Sequence, residues 1–399
     1  MNALYRNIVL FVFCTLFGLA ASYGSDKIRF WNTGPQRGTN CMNAVPTEAW
    51  FKDAKAINIQ WVRLVYDKWD AEGRDFLLGN ADDYQGLVQK DLNALKQVLS
   101  WVQRYDLKVV ITPLSLPGCR WSQNNNKQYD ARIWEDYQYQ EAAVRFWTDL
   151  AKELRSYDCI VAYDILNEPY PEIGTGLEEQ TSVGDAGRFP IWYAQYKDTP
   201  RNLYYFYDKI IQSIRQVDTD TPIMLESGYY SQPSSYCEFP DTFSDDTILY
   251  SVHMYEPYAF TSNGNFRNGA LYTYPGAIPF GNELVVWNKE TMLTYFEPFE
   301  DWIRRHSIPL NRIVVSEFGC MRRNPGAERY LSDMVSILED KKYHWAFYAF
   351  REDDWDGYDY EIGTKALPWS YWQARERGEF PPPPRENTPL FTIIRKQLR

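Results

Sequence analysis

Short apolar runs alternate with longer amphipathic segments along most of the chain. All of the runs except the first are mainly apolar, which is typical of strands that are buried on both faces of a sheet. They predict eight strands, at residues 34–40, 59–65, 108–114, 159–166, 222–227, 247–253, 312–317 and 344–350.

The segments between these strands have the period of an amphipathic helix. After the second strand, apolar residues recur at spacings of three and four, at Val88, Leu92, Leu95, Leu99 and Val102. Further helices are predicted at residues 135–155, 202–217, 289–306, 327–341 and 388–398. Another helix is expected to begin near Pro46, with Thr47 as its cap and Glu48 in its first turn.

Eight strand-then-helix units in a row predict the fold class. Parallel strands covered by helices on both faces form an α/β domain, and eight such units close into a single (β/α)8 TIM barrel. The alternative is an open doubly wound sheet, which usually has a glycine-rich phosphate-binding turn after an early strand. The sequence has no such turn, so the barrel is favoured.

Long segments interrupt the predicted barrel after strands 4, 6 and 8, at residues 170–200, 256–287 and 351–361. All three follow the carboxyl ends of strands, where barrel enzymes build their sites. The last segment is rich in acidic and aromatic residues, so we expect it to shape a cleft. The sequence shows no linker or repeat that would divide the barrel, and the proline run at residues 381–384 is interpreted as a stiff connection to the last helix.

The first residues differ from the rest of the chain. Residues 8–21 form an apolar run that is shorter than the roughly 20 residues of a membrane span, and small residues follow it. The pattern predicts a secretory signal peptide over residues 1–24, a single mature domain over residues 25–399, and secretion to an extracellular or periplasmic space. The alternative is an uncleaved membrane anchor.

Removal of the signal peptide would leave an odd number of cysteines, namely Cys41, Cys119, Cys159, Cys237 and Cys320. At least one thiol is then unpaired, and the sequence leaves the pairing of the others open. The cysteines lack metal-ligand spacing and the three histidines are far apart along the chain, so we expect no metal site.

Aromatic residues make up 17% of the chain, more than a core requires, and this predicts aromatic surface in a cleft. The formal net charge is -11, and no run of lysine or arginine offsets it locally. Nucleic acid is therefore excluded as a partner, because its binding needs a basic surface. The sequence implies no protein partner, and we expect a monomer.

Glutamates end two of the predicted strands in a similar way. Asn167 and Glu168 follow the fourth strand, where Pro169 prevents its continuation, and Glu317 ends the seventh. In a barrel these two glutamates face the same cleft. Two opposed carboxylates, in a chain without a Gly-x-Ser-x-Gly nucleophile elbow, are typical of glycosidic bond cleavage, in which one is protonated and the other is ionised.

Four motifs in this order resemble those of glycoside hydrolase family 5, the cellulase family of retaining barrel enzymes. They are Val62-Arg63-Leu64, Asn167-Glu168-Pro169, His253-Met254-Tyr255 and Ser316-Glu317-Phe318-Gly319. The likeness extends over residues 37–390, which is nearly the whole mature chain.

The resemblance implies roles for the two glutamates and their neighbours. Glu168 is expected to be the general acid and then the base that activates water. Glu317 is expected to be the nucleophile that forms a glycosyl-enzyme, with Arg63 and Tyr255 as hydrogen-bond donors that keep it ionised.

Two more residues are expected to contact the sugar. Asn167 would hold its 2-hydroxyl group, and His253 would line the same subsite. Glu226 also ends a strand, and we interpret it as a structural residue.

The sequence departs from the family pattern at two strands. Members often have a histidine at the end of strand 3, but residues 112–118 contain none. Where strand 8 usually offers a tryptophan to the sugar, this chain presents Tyr348. Trp345 and Trp355 are the alternatives for stacking, unless both belong to the core.

The expected function is hydrolysis of a neutral β-linked polysaccharide or oligosaccharide, of the β-glucan or β-mannan type. Hydrolysis needs only water, so no cofactor is expected. One alternative is a glycosidase active on glycosphingolipids, which would have an apolar surface beside its cleft. Another is a non-catalytic carbohydrate-binding barrel, which would normally have lost one of the two glutamates.

Overall fold

A computed structural model describes residues 26–177, 182–262, 264, 269, 271–379 and 381–398 of the chain. The predicted signal peptide lies outside the described residues, so its removal and the secretion of the protein stay predictions. Within the described ranges, every helix is too short or too polar to cross a bilayer.

The predicted barrel is confirmed. Eight parallel strands pair in chain order, and the last pairs with the first, so that the sheet is closed. The strands are β1 Arg37–Cys41, β2 Trp61–Val65, β3 Lys108–Thr112, β4 Ile160–Asp164, β5 Ile223–Glu226, β6 Ile248–Met254, β7 Ile313–Phe318 and β8 His344–Phe347.

Helices surround the barrel, and seven of them match the predicted segments. Polar caps fix where they begin: Thr47 accepts a hydrogen bond from the backbone N–H of Trp50, as expected, and Asn202 and Asn288 cap two later helices. The helices are α1 Asp26–Asn32, α2 Glu48–Ala56, α3 Gln89–Arg104, α4 Tyr137–Leu154, α5 Phe189–Tyr196, α6 Leu203–Arg215, α7 Lys289–His306, α8 Ala327–Lys341, α9 Trp369–Glu376 and α10 Pro389–Arg395.

Helix α1, which the sequence pattern did not predict, closes the amino-terminal end of the barrel. Its Ile28 and Trp31 pack on apolar side chains that face the barrel axis, among them Trp61 and Val314. The indole N–H of Trp31 donates to the carbonyl of Val161 at 2.8 Å. The opposite end of the barrel stays open for a site.

Trp31→Ala is expected to destabilise the protein by about 3–5 kcal/mol, because it removes a fully buried ring and leaves a cavity between α1 and the barrel. The measurement is chemical unfolding of both proteins, and the matched control is Trp369→Ala, which removes a tryptophan that is 67% exposed. An equal loss in the free energy of unfolding in the two variants would contradict the conclusion that α1 closes the barrel.

Long segments follow β4, β6 and β8, as predicted. The first contains α5, and the second contains an antiparallel hairpin of Gly276–Phe280 with Glu283–Trp287. The third is longer than predicted, because α9 and the extended proline run continue it as far as α10. The five cysteines expected in the mature chain are all free thiols.

Candidate active site

Polar side chains gather at the carboxyl ends of the barrel strands. Each follows a run of apolar residues that anchors its strand in the core. Their charges are buried and must therefore be compensated by one another.

Arg63 on β2 lies at the centre of this group. Its fully buried guanidinium donates to Asp164 at 2.8 Å, to Glu226 at 2.7 Å, to the side-chain oxygen of Asn167 at 2.8 Å and to Glu317 at 2.5 Å. Burial opposes its charge, but the three carboxylates outweigh that effect and raise the pKa of Arg63. The planar fork of donors fixes the relative positions of the four acceptors.

Glu317 at the end of β7 is held through both of its oxygens. Oε1 accepts from Arg63, and Oε2 accepts from the hydroxyl of Tyr255 at 2.7 Å. Both contacts stabilise negative charge on the side chain and orient it toward the cleft.

Glu168 follows β4 in an unusual backbone conformation, with φ at 46°. This left-handed region is unfavourable for a residue with a side chain. The backbone N–H of Glu168 donates to Glu226 at 2.7 Å, which holds the conformation in place. Burial raises the pKa of the Glu168 carboxyl, and the hydrogen bond from His253, with Nδ1 2.9 Å from Oε1, only partly opposes this.

His253 lies beneath Glu168. Its Nε2 is 3.1 Å from Glu226 and 3.0 Å from the hydroxyl of Ser316. Burial lowers the pKa of His253, but the charges of Glu226 and Glu317 outweigh it and raise the pKa to about 10. For Glu226 the reverse holds: burial raises the pKa, and His253 and Arg63 bring it down to about 2. His253 is therefore an imidazolium and Glu226 a carboxylate at neutral pH.

Glu226→Gln is expected to lower the pKa of His253 by about one unit or more, because it removes the buried anion that contributes most to the raised value. Histidine NMR over a pH series measures this directly, and only three histidines are present. His344 is the internal control, since burial lowers its pKa to about 4 far from the site. An unchanged His253 titration in the variant would contradict the proposed pairing.

The cleft above these residues has a volume of about 580 Å³. Of the residues predicted from the sequence, five line it and two, Arg63 and His253, lie below its floor. The five are Asn167, Glu168, Tyr255, Glu317 and Tyr348. Its other lining residues are Met42, Lys68, Leu114, Trp121, Gln123, Tyr258, Ser262, Glu352, Asp354, Trp355 and Tyr358. Aromatic rings are frequent among them, as the composition predicted.

The structure shows what occupies the strand-3 position where the family often has histidine. Thr112 ends β3 and donates from its hydroxyl to Asp164 at 3.1 Å, while Leu114 and Trp121 form the wall on this side. The apolar wall replaces the polar contact that a histidine would make.

The three aromatic candidates near strand 8 have different positions. Tyr348 lines the cleft and donates to Glu352 at 3.0 Å. Trp345 is fully buried and donates to Glu339 at 2.9 Å, so it belongs to the core. Trp355 lies on the cleft wall, where a sugar can contact it.

Sequence reasoning missed the part that Glu226 and Asp164 play in the site. Both carboxylates are fully buried and bind Arg63. The sequence could have shown this, because an acidic residue within or at the end of an apolar strand is buried and needs a cationic partner.

Three groups are close enough to share a cation. A ring nitrogen of His253 and one carboxylate oxygen from each of Glu168 and Glu317 lie within 4.8 Å of one another. A protonated imidazole has no lone pair for a metal. A metal ion at this place would therefore have to displace the proton of His253, whose pKa is raised.

A parallel barrel with two opposed glutamates in its carboxyl-end cleft is the architecture of glycoside hydrolases. A family model described as cellulase (glycosyl hydrolase family 5) matches residues 27–354. The chain belongs to glycosyl hydrolase family 5, and it is an O-glycosyl hydrolase, as the motifs predicted.

Two curated relatives show the range of the similarity. Endoglucanase C of Acetivibrio thermocellus is 21% identical over 309 residues, which cover 71% of this chain and 80% of that protein. An endoglycoceramidase of Cyanea nozakii is 27% identical over 155 residues, which cover 34% of this chain and 28% of that protein.

Solved structures confirm the fold. One described as an endoglucanase has a TM-score of 0.62 at 16% identity and covers 92% of this chain and 99% of its own. Cel5A of Thermotoga maritima in complex with mannotriose has a TM-score of 0.59 at 15% identity and covers 84% of this chain and 94% of its own.

Proposed function

We propose that the protein is a retaining β-glycosidase that hydrolyses neutral β-linked polysaccharides or oligosaccharides, with Glu168 as acid and base and Glu317 as nucleophile. The observation that carries the proposal is the short gap between two differently held carboxyl groups. Oxygens of Glu168 and Glu317 lie within 4.8 Å of each other across the cleft.

This gap suits a double displacement. In retaining glycosidases the two carboxyl groups are about 5–5.5 Å apart, whereas inverting enzymes need about 6.5–9.5 Å to admit a water between carboxylate and sugar. The separation leaves room for a sugar carbon and no intervening water.

In the first step, an oxygen of Glu317 attacks the anomeric carbon. The bond from that carbon to the leaving oxygen breaks, and Glu168 transfers its proton to the leaving oxygen. The raised pKa of Glu168 supports this role, because burial keeps the carboxyl protonated above its ordinary range. The products are a free sugar end and a glycosyl ester on Glu317.

In the second step, the Glu168 carboxylate takes a proton from water, and the water oxygen attacks the anomeric carbon. The ester bond breaks and Glu317 is released as a carboxylate, which Arg63 and Tyr255 again stabilise. Each step inverts the configuration at the anomeric carbon, so the product has the same configuration as the substrate. His253, charged at neutral pH, stabilises Glu168 while it is ionised between the two steps.

The substrate class follows from the cleft and from the relatives. Flat aromatic side chains pack well on the C–H faces of β-linked sugars, and the net charge of the chain disfavours anionic polymers. The relatives include an endoglucanase and a Cel5A crystallised with cellobiose and with mannotriose. We therefore propose β-glucans and β-mannans as substrates.

The test is a panel of carboxymethylcellulose, mixed-linkage β-glucan, mannan, xylan and starch, with release of reducing ends as the readout. We expect cleavage of a β-glucan or of mannan, and none of starch. Inactivity on all the β-linked polymers and on their oligosaccharides would overturn the proposal.

A second candidate is cleavage of glycosphingolipids, which the segment after β6 favours. Leu271, Leu284 and Val286 are large apolar side chains that this segment exposes to solvent. Its hairpin packs against the turn Tyr258–Thr261, and Tyr258 lines the cleft. An apolar edge next to the cleft suits a substrate held in a lipid surface.

Vesicles that contain lactosylceramide distinguish the two candidates. Faster release of lactose from these vesicles than of cellobiose from soluble cello-oligosaccharides would favour the lipid substrate. The converse would favour the polysaccharide.

A further inference from the structure

A second cavity of about 710 Å³ lies beside the cleft. It is formed between the segment that follows β1 and the long segment that follows β8. Half of the residues that line it come after Asp354, where the family match ends. This cavity is therefore built largely by a part of the chain that lies outside the matched barrel.

Aromatic rings form much of the cavity wall. Tyr371 and Trp372, both on α9, are half-buried and lie edge to face with their ring centroids 5.1 Å apart. Trp50 and Trp355 also line the cavity. Large flat rings at a solvent-accessible wall are the usual platform for the apolar faces of sugar rings.

Carboxylates outnumber arginines in the cavity lining by six to three, and several of them are held by partners. Arg351 binds Asp53, Arg385 binds Asp359 at 2.7 Å, and the carboxylate of Asp353 accepts the backbone N–H groups of Ala44 at 2.9 Å and Val45 at 2.8 Å. A wall of this kind offers many hydrogen-bonding groups, and its excess of carboxylates repels anions. Such a wall suits a neutral hydroxylated ligand better than an anion.

The cavity and the cleft share a wall. Glu352, Asp354 and Trp355 line both. The Trp355 ring rests on Gly357, where an added Cβ would overlap it, so only glycine allows this position of the ring. Trp355 therefore lies at the border between the cleft and the cavity.

We propose that this cavity binds the sugar units of the substrate that extend beyond the cleft on the side of the new glycosyl-enzyme. The inference rests on the proposed function. The cavity lies outside β8 and β1, whereas Glu168, which protonates the leaving sugar, follows β4 across the barrel. The part of the substrate retained on Glu317 is thus the part that reaches Trp372.

Aryl β-glycosides of increasing length test the proposal, because their aryl group is the leaving group and each added sugar extends the retained side only. The series runs from two to five β-1,4-linked sugars, glucose or mannose, whichever the enzyme cleaves. We expect kcat/KM of the natural protein to rise along the series. In Trp372→Ala, kcat/KM for the longest member should be about five- to tenfold lower than in the natural protein. The value of kcat/KM for the shortest member should be the same in both proteins.

The matched control is Trp369→Ala, which alters an exposed tryptophan on the same helix and should keep the full rise. A second measurement avoids turnover: calorimetric binding of the pentasaccharide to Glu317→Gln should weaken by a similar factor when Trp372→Ala is added. Equal length dependence in Trp372→Ala and the natural protein would overturn the inference, and so would unchanged binding. If the natural protein cleaved no member of either series, the proposed function itself would fail.

Discussion

Glu317→Ala is expected to lower kcat by a factor of about 10⁴ or more, because among the described residues that line the cleft no other carboxylate lies opposite Glu168 to attack the anomeric carbon. The fold should persist, since Arg63 keeps Asp164 and Glu226 as partners. Circular dichroism and thermal unfolding check this, and hydrolysis of an aryl cellobioside gives kcat.

Added azide gives this prediction a sharper readout. In Glu317→Ala the space left by the carboxylate admits azide, which attacks in place of the nucleophile, so the product is an α-glycosyl azide. Glu352→Ala is the control, since Glu352 lies on the cleft wall with Tyr348 and Lys68 and should change KM more than kcat. Retained turnover in Glu317→Ala without azide would contradict the assignment.

Glu168→Ala is expected to have the second largest effect, and its size should depend on the leaving group. A substrate that needs protonation, such as a natural oligosaccharide, should lose about 10²–10⁴-fold in rate, the usual contribution of a general acid. A dinitrophenyl glycoside needs no proton in the first step, so its glycosyl-enzyme should form at nearly the natural rate and then accumulate. Azide should release a β-glycosyl azide from it.

The pH profile follows from the same group. Burial raises the pKa of Glu168, so the natural protein holds the proton above the ordinary range of a glutamate and loses activity as pH rises through the raised pKa. Glu168→Ala should lack this alkaline fall when the dinitrophenyl substrate is used. An alkaline fall that persists in the variant would assign the acid to another residue.

The sequence predicted the barrel because every strand except β1 is a mainly apolar run, and most of the strands are followed by an amphipathic helix. Helix α1 escaped prediction, since seven residues are too few for a helical period and the contacts that stabilise Trp31 come from strands far along the chain. Helix α9 was missed for a related reason: it buries little, with Ala374 as its buried residue.

Within the candidate site, the motif residues were predicted because they match the family pattern and most of them lie at or just after the end of a strand. The position of His253 was different from expectation: it lies under Glu168 as a charged partner, whereas the sequence suggested a place in the sugar subsite. Glu226 looked like an isolated strand-end acid, because its partners, Arg63 and His253, are remote in sequence. Strand register and barrel closure decide such contacts, and neither can be read from a local pattern.

The central claim, a covalent glycosyl-enzyme on Glu317, is tested most directly by trapping it with a dinitrophenyl 2-deoxy-2-fluoro-β-glycoside. The fluorine slows both the formation and the hydrolysis of the glycosyl ester. The activated leaving group restores the rate of formation only, so the ester accumulates. Peptide mass spectrometry should find a single labelled peptide with the sugar on Glu317. A label on another residue, or turnover of the natural substrate with an α-configured first product and no label, would contradict the account.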